Sequence, residues 1–206
     1  FAPNTDNLGV GAITGSSAEV LAFEPMSGGT VWVGGQWSRV RPNADNANSD
    51  LILFSAAQAV SLDATIGTSS AGSASTVEDL LRDSQGRLLA AGDLRYPSAT
   101  AETTNVVRFL ANNTVDTSFK LHIPNNSQRV RAIKEYPGNK YVIVGDFTTV
   151  NGVARNHIAL LNENGSLDTS FNPFSAITVT SAYDVEVLVD GSILVAGRMS
   201  AYSGNE

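Results

Sequence analysis

Few residues in this chain have the types and spacing that chemistry requires. The stretch Asn43-Ala44-Asp45-Asn46-Ala47-Asn48-Ser49-Asp50 alternates oxygen-bearing side chains with small residues, as calcium loops do, and Asp45, Asn46, Asn48 and Asp50 are its candidate ligands. It lacks the Gly and the terminal Glu of an EF-hand loop, so it reads as an exposed polar connection, with a weak calcium or sugar site as the alternative. Asp184 and Glu186 flank Val185 and share one face of a strand. Such a pair could hold a cation, and it equally describes a solvated acidic face. Glu78 and Asp79 are adjacent, so on a strand they point to opposite faces and cannot share a substrate. His122 and His157, the only histidines, have no carboxylate or Ser in triad spacing and read as surface or packing residues. No catalytic residue and no cofactor is assigned.

The whole chain narrows the function further. Its 206 residues and 42% hydrophobic content suit a globular core. A net charge of −7, with three Lys, argues against a polyanion-binding surface and so against nucleic acid as a partner. No window has the roughly 18 consecutive apolar residues of a membrane span, and membrane insertion is not expected. The absence of Cys excludes disulfides, thiolate metal sites and Cys nucleophiles. The chain begins "FAPNTDN", so Phe1 reads as an internal or processed start.

The elements that must position any site come from a repeat. Gly35, Gly92, Gly145 and Gly197 end short apolar runs at separations of 57, 53 and 52 residues, and Asp63, Asp116 and Asp168 follow at 53 and 52. Two independent anchors that agree on the period identify tandem units. Six residues before each anchor Gly stand Gly29, Gly86, Asn139 and Gly191, residue types that adopt positive φ cheaply. Each is expected in a two-residue hairpin turn, with strands entering and leaving it. Val185, Val187 and Val189 alternate at the strand period. A polar loop and a third strand follow in each complete unit, and a short fourth strand is expected after the next seam. The fold class is therefore all-β: tandem repeats of about 52–57 residues forming β-propeller-like blades of three to four antiparallel strands. The units run 1–65, 66–118, 119–170 and 171–206.

The seams carry Phe119 and Phe171, with Phe1 at the corresponding start and Ile66 in the weakest copy. These residues read as plugs between neighbouring blades. The Asp three residues earlier reads as an Asx-type turn that accepts hydrogen bonds from the following Thr and Ser. A single carboxylate per unit falls short of the roughly six to eight oxygens that calcium takes. Two residues after the anchor Gly come Trp37, Leu94, Phe147 and Met199, apolar in every copy, which points to packing.

The unit "VRAIKEYPGNKYVIVGDFTTVNGVARNHIALLNENGSLDTSFNP", residues 130–173, resembles the delta-60 repeat family in its turn-Gly hairpin, its "GDFTTVNG" loop and its "DTSF" ending. Leu160 departs from the Arg common at that position, which Arg108 keeps, and the first unit departs most, with its insertion and Ile66. The resemblance implies a β-propeller-like repeat of large bacterial secreted or surface proteins and phage structural proteins, with no established catalytic residues.

The expected function is a non-enzymatic structural or interaction module, a scaffold of an extracellular, cell-surface or virion assembly such as an adhesin or a phage tail. Its partners would be other protein subunits or further repeats of the same chain, and possible surface glycans. A carbohydrate-binding propeller lectin, assisted by calcium, is the alternative, with Trp37 and Tyr96 as its suggestive aromatics. A propeller hydrolase or lyase is a third reading. Tyr202-Ser203-Gly204 aligns with Val150-Asn151-Gly152, so the fourth unit is expected to lack its closing strand and the chain to be a segment of a longer array.

Overall fold

The structure is a computed structural model that describes residues 13–14, 19–25, 31–36, 39–40, 51–54, 59–61, 76–94, 105–124, 128–173 and 177–202. Among the described residues there is no helix. The first six strands are β1 (Ile13–Thr14), β2 (Glu19–Pro25), β3 (Val31–Gln36), β4 (Arg39–Val40), β5 (Leu51–Phe54) and β6 (Ala59–Ser61). Four of them form an antiparallel sheet in the order β2-β3-β5-β6, while β1 pairs with β4. The second sheet is β7 (Thr76–Arg82), β8 (Leu88–Asp93) and β9 (Val106–Phe109). The third is β10 (Val130–Tyr136), β11 (Lys140–Gly145) and β14 (Ile158–Leu161), with a small hairpin of β12 (Thr149–Val150) and β13 (Val153–Ala154) in its loop. The last is the hairpin of β15 (Ile177–Val187) and β16 (Ile193–Tyr202).

The first strands of successive sheets, β2, β7, β10 and β15, pack side by side, so the four sheets radiate from them like blades. The chain is thus an all-β tandem repeat of propeller-like units. Alternation along the second strand explains why the sheets stack, because period-two side chains give each sheet an apolar residue on both faces. Trp32, Leu89 and Val142 stand three residues before their anchor Gly, and each packs forward into the next sheet. Leu88, Tyr141 and Ile193 sit one residue earlier and pack backward.

The anchor glycines are explained by a bulge. In every unit the first strand carries one extra residue opposite the second: Leu21, Glu78, Arg131 and Tyr183 fall at register shifts after the residue paired with the anchor Gly. The bulge presses the preceding carbonyl onto the glycine. A Cβ on Gly92 would lie 1.9 Å from the Thr76 carbonyl oxygen, one on Gly145 2.1 Å from that of Arg129, and one on Gly197 2.2 Å from that of Ser181. These glycines are selected for close approach rather than for positive φ.

The turns differ from expectation. Gly86, Asn139 and Gly191 have φ of 77°, 59° and 84°, but the loops hold three residues rather than two. Asp83 N donates to Arg87 O and Gly86 N to Asp83 O, and Leu188 and Ser192 repeat the pattern. In the second and fourth units the loop pairs a turn with one left-handed residue, whereas in the third both Gly138 and Asn139 are left-handed, with φ of 84° and 59°. Val189 accordingly lies in the turn, fully exposed, and not on the strand. The fourth strand also falls elsewhere. It is β6 in the first sheet and a single bridge at Val115 and Leu167 in the next two, before the seam Asp rather than after the Phe. The carboxylate of Asp116 or Asp168 captures the Ser two residues on and turns the chain out of the ladder.

Gly145→Ala is expected to destabilise by about 3 kcal/mol or more, because backbone must move. Gly138→Ala, whose φ is +84° but whose Cβ would meet nothing within 4 Å, is expected to cost about 1 kcal/mol. Urea denaturation of the two variants checks this, and the reverse order would refute the bulge as the reason for the anchor.

Candidate functional site

The densest set of chemistry-bearing side chains lies at the boundary between the second and third sheets. Asp83 opens the β7–β8 turn, where its Oδ1 accepts from Gln85 N and Arg87 N at 3.0 and 2.9 Å. Its Oδ2 accepts from Arg87 Nε at 2.6 Å and from the Tyr141 hydroxyl of β11 at 2.8 Å. Arg87 Nη2 donates to that hydroxyl at 2.7 Å and Nη1 donates to Glu163 Oε1 at 2.9 Å. Arg108 of β9 pairs with Asp116 Oδ2 through Nε at 2.8 Å and Nη2 at 2.7 Å, and its Nη1 reaches the Tyr141 hydroxyl and the Glu163 carbonyl. Its guanidinium lies over the Phe119 ring, which meets Tyr141 edge to face. Asp83, Arg87, Arg108, Asp116 and Tyr141 are all buried.

The electrostatics follow from these contacts. Burial, reinforced by the Asp83 carboxylate, pushes the Tyr141 hydroxyl up to about 12, so it stays protonated and donates. Burial works to raise Asp83 and Asp116. Hydrogen bonds from Tyr141 and Arg87 outweigh it at Asp83, as do those from Ser118 and Arg108 at Asp116, and both carboxyls are held below their usual range. Burial likewise works to lower Arg87, but its bonds to Asp83 and Glu163 hold it above its ordinary value. Two arginines, two aspartates and a tyrosine therefore satisfy one another as a lock between sheets, and this chemistry leaves neither a free base nor a nucleophile within it.

A second, more open set lines one rim of the inner strands. The bulge residues Glu78, Arg131 and Tyr183 come from three neighbouring strands. Arg129 bridges Glu78 Oε1 at 2.9 Å and Asp146, and Arg131 donates to Asp146 Oδ2 from Nε and Nη2 at 3.0 and 2.6 Å. The Arg131 guanidinium lies over the exposed Tyr183 ring, 5.4 Å from its centroid. Asp79, beside Glu78, serves the backbone: Oδ2 accepts from Ile133 N at the open edge of β10, and Oδ1 from Leu80 N. Burial raises its carboxyl above the ordinary range.

The residues singled out from sequence fall as follows. Asp116 and Asp168 each accept from the N–H and hydroxyl of the Ser two residues on, at 2.9 and 2.6 Å. Phe119 is buried between the second and third sheets, whereas Phe171 is half-buried against the apolar residues shared by the third and fourth sheets. Gly86, Asn139 and Gly191 occupy their turns. Asp184 and Glu186 are both exposed; Asp184 accepts from Val185 N, and Glu186 lies 3.9 Å from Lys134. Leu94 and Phe147 are fully buried. Phe1, Gly29, Asp45, Asn46, Asn48, Asp50, Asp63, Ile66, Trp37 and Tyr96 lie outside the described residues. Among the described residues no group of three His, Asp or Glu side chains is placed to hold a metal ion.

His157 has a role its sequence hid. It and Asn105 adopt φ of 67° and 53° before the third strand, and their carbonyls accept from Gly145 N and Gly92 N. In the "GDFTTVNG" loop Asn151 grips the seam, accepting from His122 N at 2.7 Å and donating to Gly165 O at 3.1 Å.

A family model described as "Domain of unknown function (DUF5122) beta-propeller" matches residues 84–119 and 137–171, each match ending on the seam Phe that opens the following unit. No curated protein matches the chain. Among solved structures, the chain is similar to the extracellular domain of a hybrid two-component system from B. thetaiotaomicron, at 14% identity and a TM-score of 0.43. That match covers 88% of this chain and 26% of the other.

Two outcomes test the lock. Arg108→Leu strands the buried Asp116 carboxylate and is expected to cost about 3–5 kcal/mol. Lys140→Met removes the half-exposed partner of Asp168 and is expected to cost about 1 kcal/mol or less. Equal midpoints in urea would contradict the assignment. The second outcome concerns acid. Hydrogen bonds from Lys140 and Ser170 pull the Asp168 carboxyl from 3.8 to about 2, and Asp83 and Asp116 are also lowered. Carboxyls lowered by folding add stability above their unfolded value, and that stability is lost as pH falls through the folded one. Asp79 and Glu24, raised chiefly by burial, act in the opposite sense, and their protonation on acidification favours the fold. The melting temperature should therefore hold down to about pH 4 and fall steeply from there to about pH 2. Asp168→Asn should make that fall shallower, and an unchanged slope would count against the Lys140 pair.

Proposed function

We propose that the chain is a non-enzymatic structural or interaction module, a rigid β-repeat scaffold of an extracellular, cell-surface or phage tail assembly that presents loops differing from unit to unit. The observation that carries this reading is the use of the buried polar groups. Asp83, Arg87, Arg108, Asp116 and Tyr141 bond one another across a sheet boundary instead of converging on an opening. The loops after the anchor Gly are free to vary around that frame. Residues 93–105 read "DLRYPSATAETTN" and 146–157 read "DFTTVNGVARNH", although both end in a left-handed residue that caps the Gly. Constant frames with differing loops suit recognition.

The finer placement in the delta-60 repeat family rests on the "GDFTTVNG" loop and the "DTSF" seam, and the location outside the cell rests on the same resemblance. A glycan array probed with the purified chain separates this reading from the lectin. The expected result is no selective retention. A defined glycan that is retained, and released by chelating calcium, would replace the scaffold reading with a calcium-assisted lectin.

A further inference from the structure

Two Asn-Gly pairs occur in the chain, Asn151-Gly152 and Asn164-Gly165. An Asn amide followed by Gly is open to attack by the Gly nitrogen, because no Cβ crowds the approach. The fold holds the two amides in opposite ways. In the β12–β13 hairpin the Asn151 side chain is tied at both ends: Oδ1 accepts from His122 N at 2.7 Å and Nδ2 donates to Gly165 O at 3.1 Å. Its amide is thereby held against the seam, and the nitrogen that would leave is bonded. Asn164 stands in the turn between β14 and the Leu167 bridge and is exposed. Among the described residues its side chain bonds only through Oδ1, which accepts from Ser166 N at 3.0 Å. That bond folds the side chain over the Gly165 peptide and sets a donor where negative charge would develop on the amide oxygen. Nδ2 is left to water.

We propose that Asn164-Gly165 is a self-modification site whose reagent is water, and that its conversion loosens the boundary between the second and third units. The Gly165 nitrogen bonds to Asn164 Cγ, the Cγ–Nδ2 bond breaks, and the Gly165 proton passes by way of water to the amide nitrogen, which leaves as ammonia. The product is a five-membered imide. Water then opens it at Cγ, leaving aspartate, or at the main-chain carbonyl, leaving isoaspartate and a backbone longer by one methylene. Gly165 N donates to Asn162 O at 2.9 Å, and opening of that bond sets the pace. The turn has no slack for the methylene. Asn164 O accepts from Lys120 N at 2.8 Å, and a Cβ on Gly165 would lie 2.9 Å from the Lys120 backbone. The second unit grips the same turn, since Glu163 O accepts from Arg108 Nη1 and Glu163 Oε1 accepts from Gln85 and Arg87. A comparison is built into that unit. Asn112 sits in the equivalent turn with Oδ1 accepting from Thr114 N at 3.1 Å, but its successor is Asn113, whose Cβ crowds the attacking nitrogen. The site stands independently of the scaffold reading.

Peptide mapping by mass spectrometry tests this on the purified chain, aged at mildly alkaline pH both folded and in urea. In the folded chain Asn164 is expected to convert about tenfold or more faster than Asn151 and Asn112, to a mixture of aspartate and isoaspartate. In urea Asn151 should catch up with Asn164 while Asn112 stays slow, because the fold protects the first and the missing Gly protects the second. Equal rates at Asn164 and Asn151 in the folded chain, or no conversion at Asn164, would overturn the site. So would a gap between them that persists in urea, since it would come from the neighbouring sequence and not from the fold. The aged acidic fraction, isolated by ion exchange, should melt below the unaged chain and below the Asn164→Asp variant, which carries the charge without the methylene. An aged fraction that melts with the unaged chain would overturn the loosening.

Discussion

The repeat depends on one steric fact: the first strand of each unit has one residue too many for its partner. The extra residue at Glu78, Arg131 or Tyr183 drives the preceding carbonyl to within about 2 Å of where a Cβ would stand, so only Gly serves opposite it. Several features follow from that pairing. Each bulge residue is turned onto the inner rim, where strands from three units bring an acid, a base and an aromatic together. The residue after the bulge is freed from the ladder, and where it is Asp79 its carboxylate caps the N–H of Ile133 at the open edge of the neighbouring strand. A donor on the inner edge of the third unit is thereby paired by the preceding unit.

The seam shows how a repeat can keep a function while exchanging the residue that supplies it. Asp116 and Asp168 both turn the chain through Ser, and both need a cation at the second oxygen. In the second unit Arg108 on the third strand provides it. In the third unit that position is Leu160, and Lys140 at the start of the second strand reaches Asp168 Oδ2 at 2.6 Å instead. The second unit's counterpart of Lys140 is Arg87, which is released to bond Asp83, Glu163 and Tyr141 across the sheet boundary. The exchange of Arg for Leu160 is therefore compensated within the unit.

Much of the frame was legible because it repeats. The period, the hairpins and the left-handed Gly86, Asn139 and Gly191 follow from spacing and from the conformational freedom of those residues. The reason for the anchor Gly was not legible, because it lies in the partner strand's extra residue, and strict alternation gives no hint of a bulge. Asn105 and His157 were hidden for a related cause: they take positive φ without being Gly, and are held there by the bond to the anchor Gly N–H. The lock was hidden most deeply. Its members come from two units, Asp83 and Tyr141 lying 58 residues apart, and they occupy non-equivalent positions. A search for self-similarity finds what units share, and the lock is made of what they do not share.

That difference bears on how the units keep their order. Among the described residues, the boundary between the first and second sheets stacks Trp32 on Phe109, and the boundary between the third and fourth holds Leu160, Val185 and Ile193. Apolar faces of similar size tolerate one another's partners, since volume and patterning satisfy them. The middle boundary does not. A sheet that offered Ile193 instead of Tyr141 would leave Asp83 Oδ2 and both guanidinium groups without the hydroxyl they share, and a buried charge stripped of its partner is costly. Among the described residues the buried charged network lies at the boundary between the second and third units, and it fixes which sheet follows which at the centre of the chain.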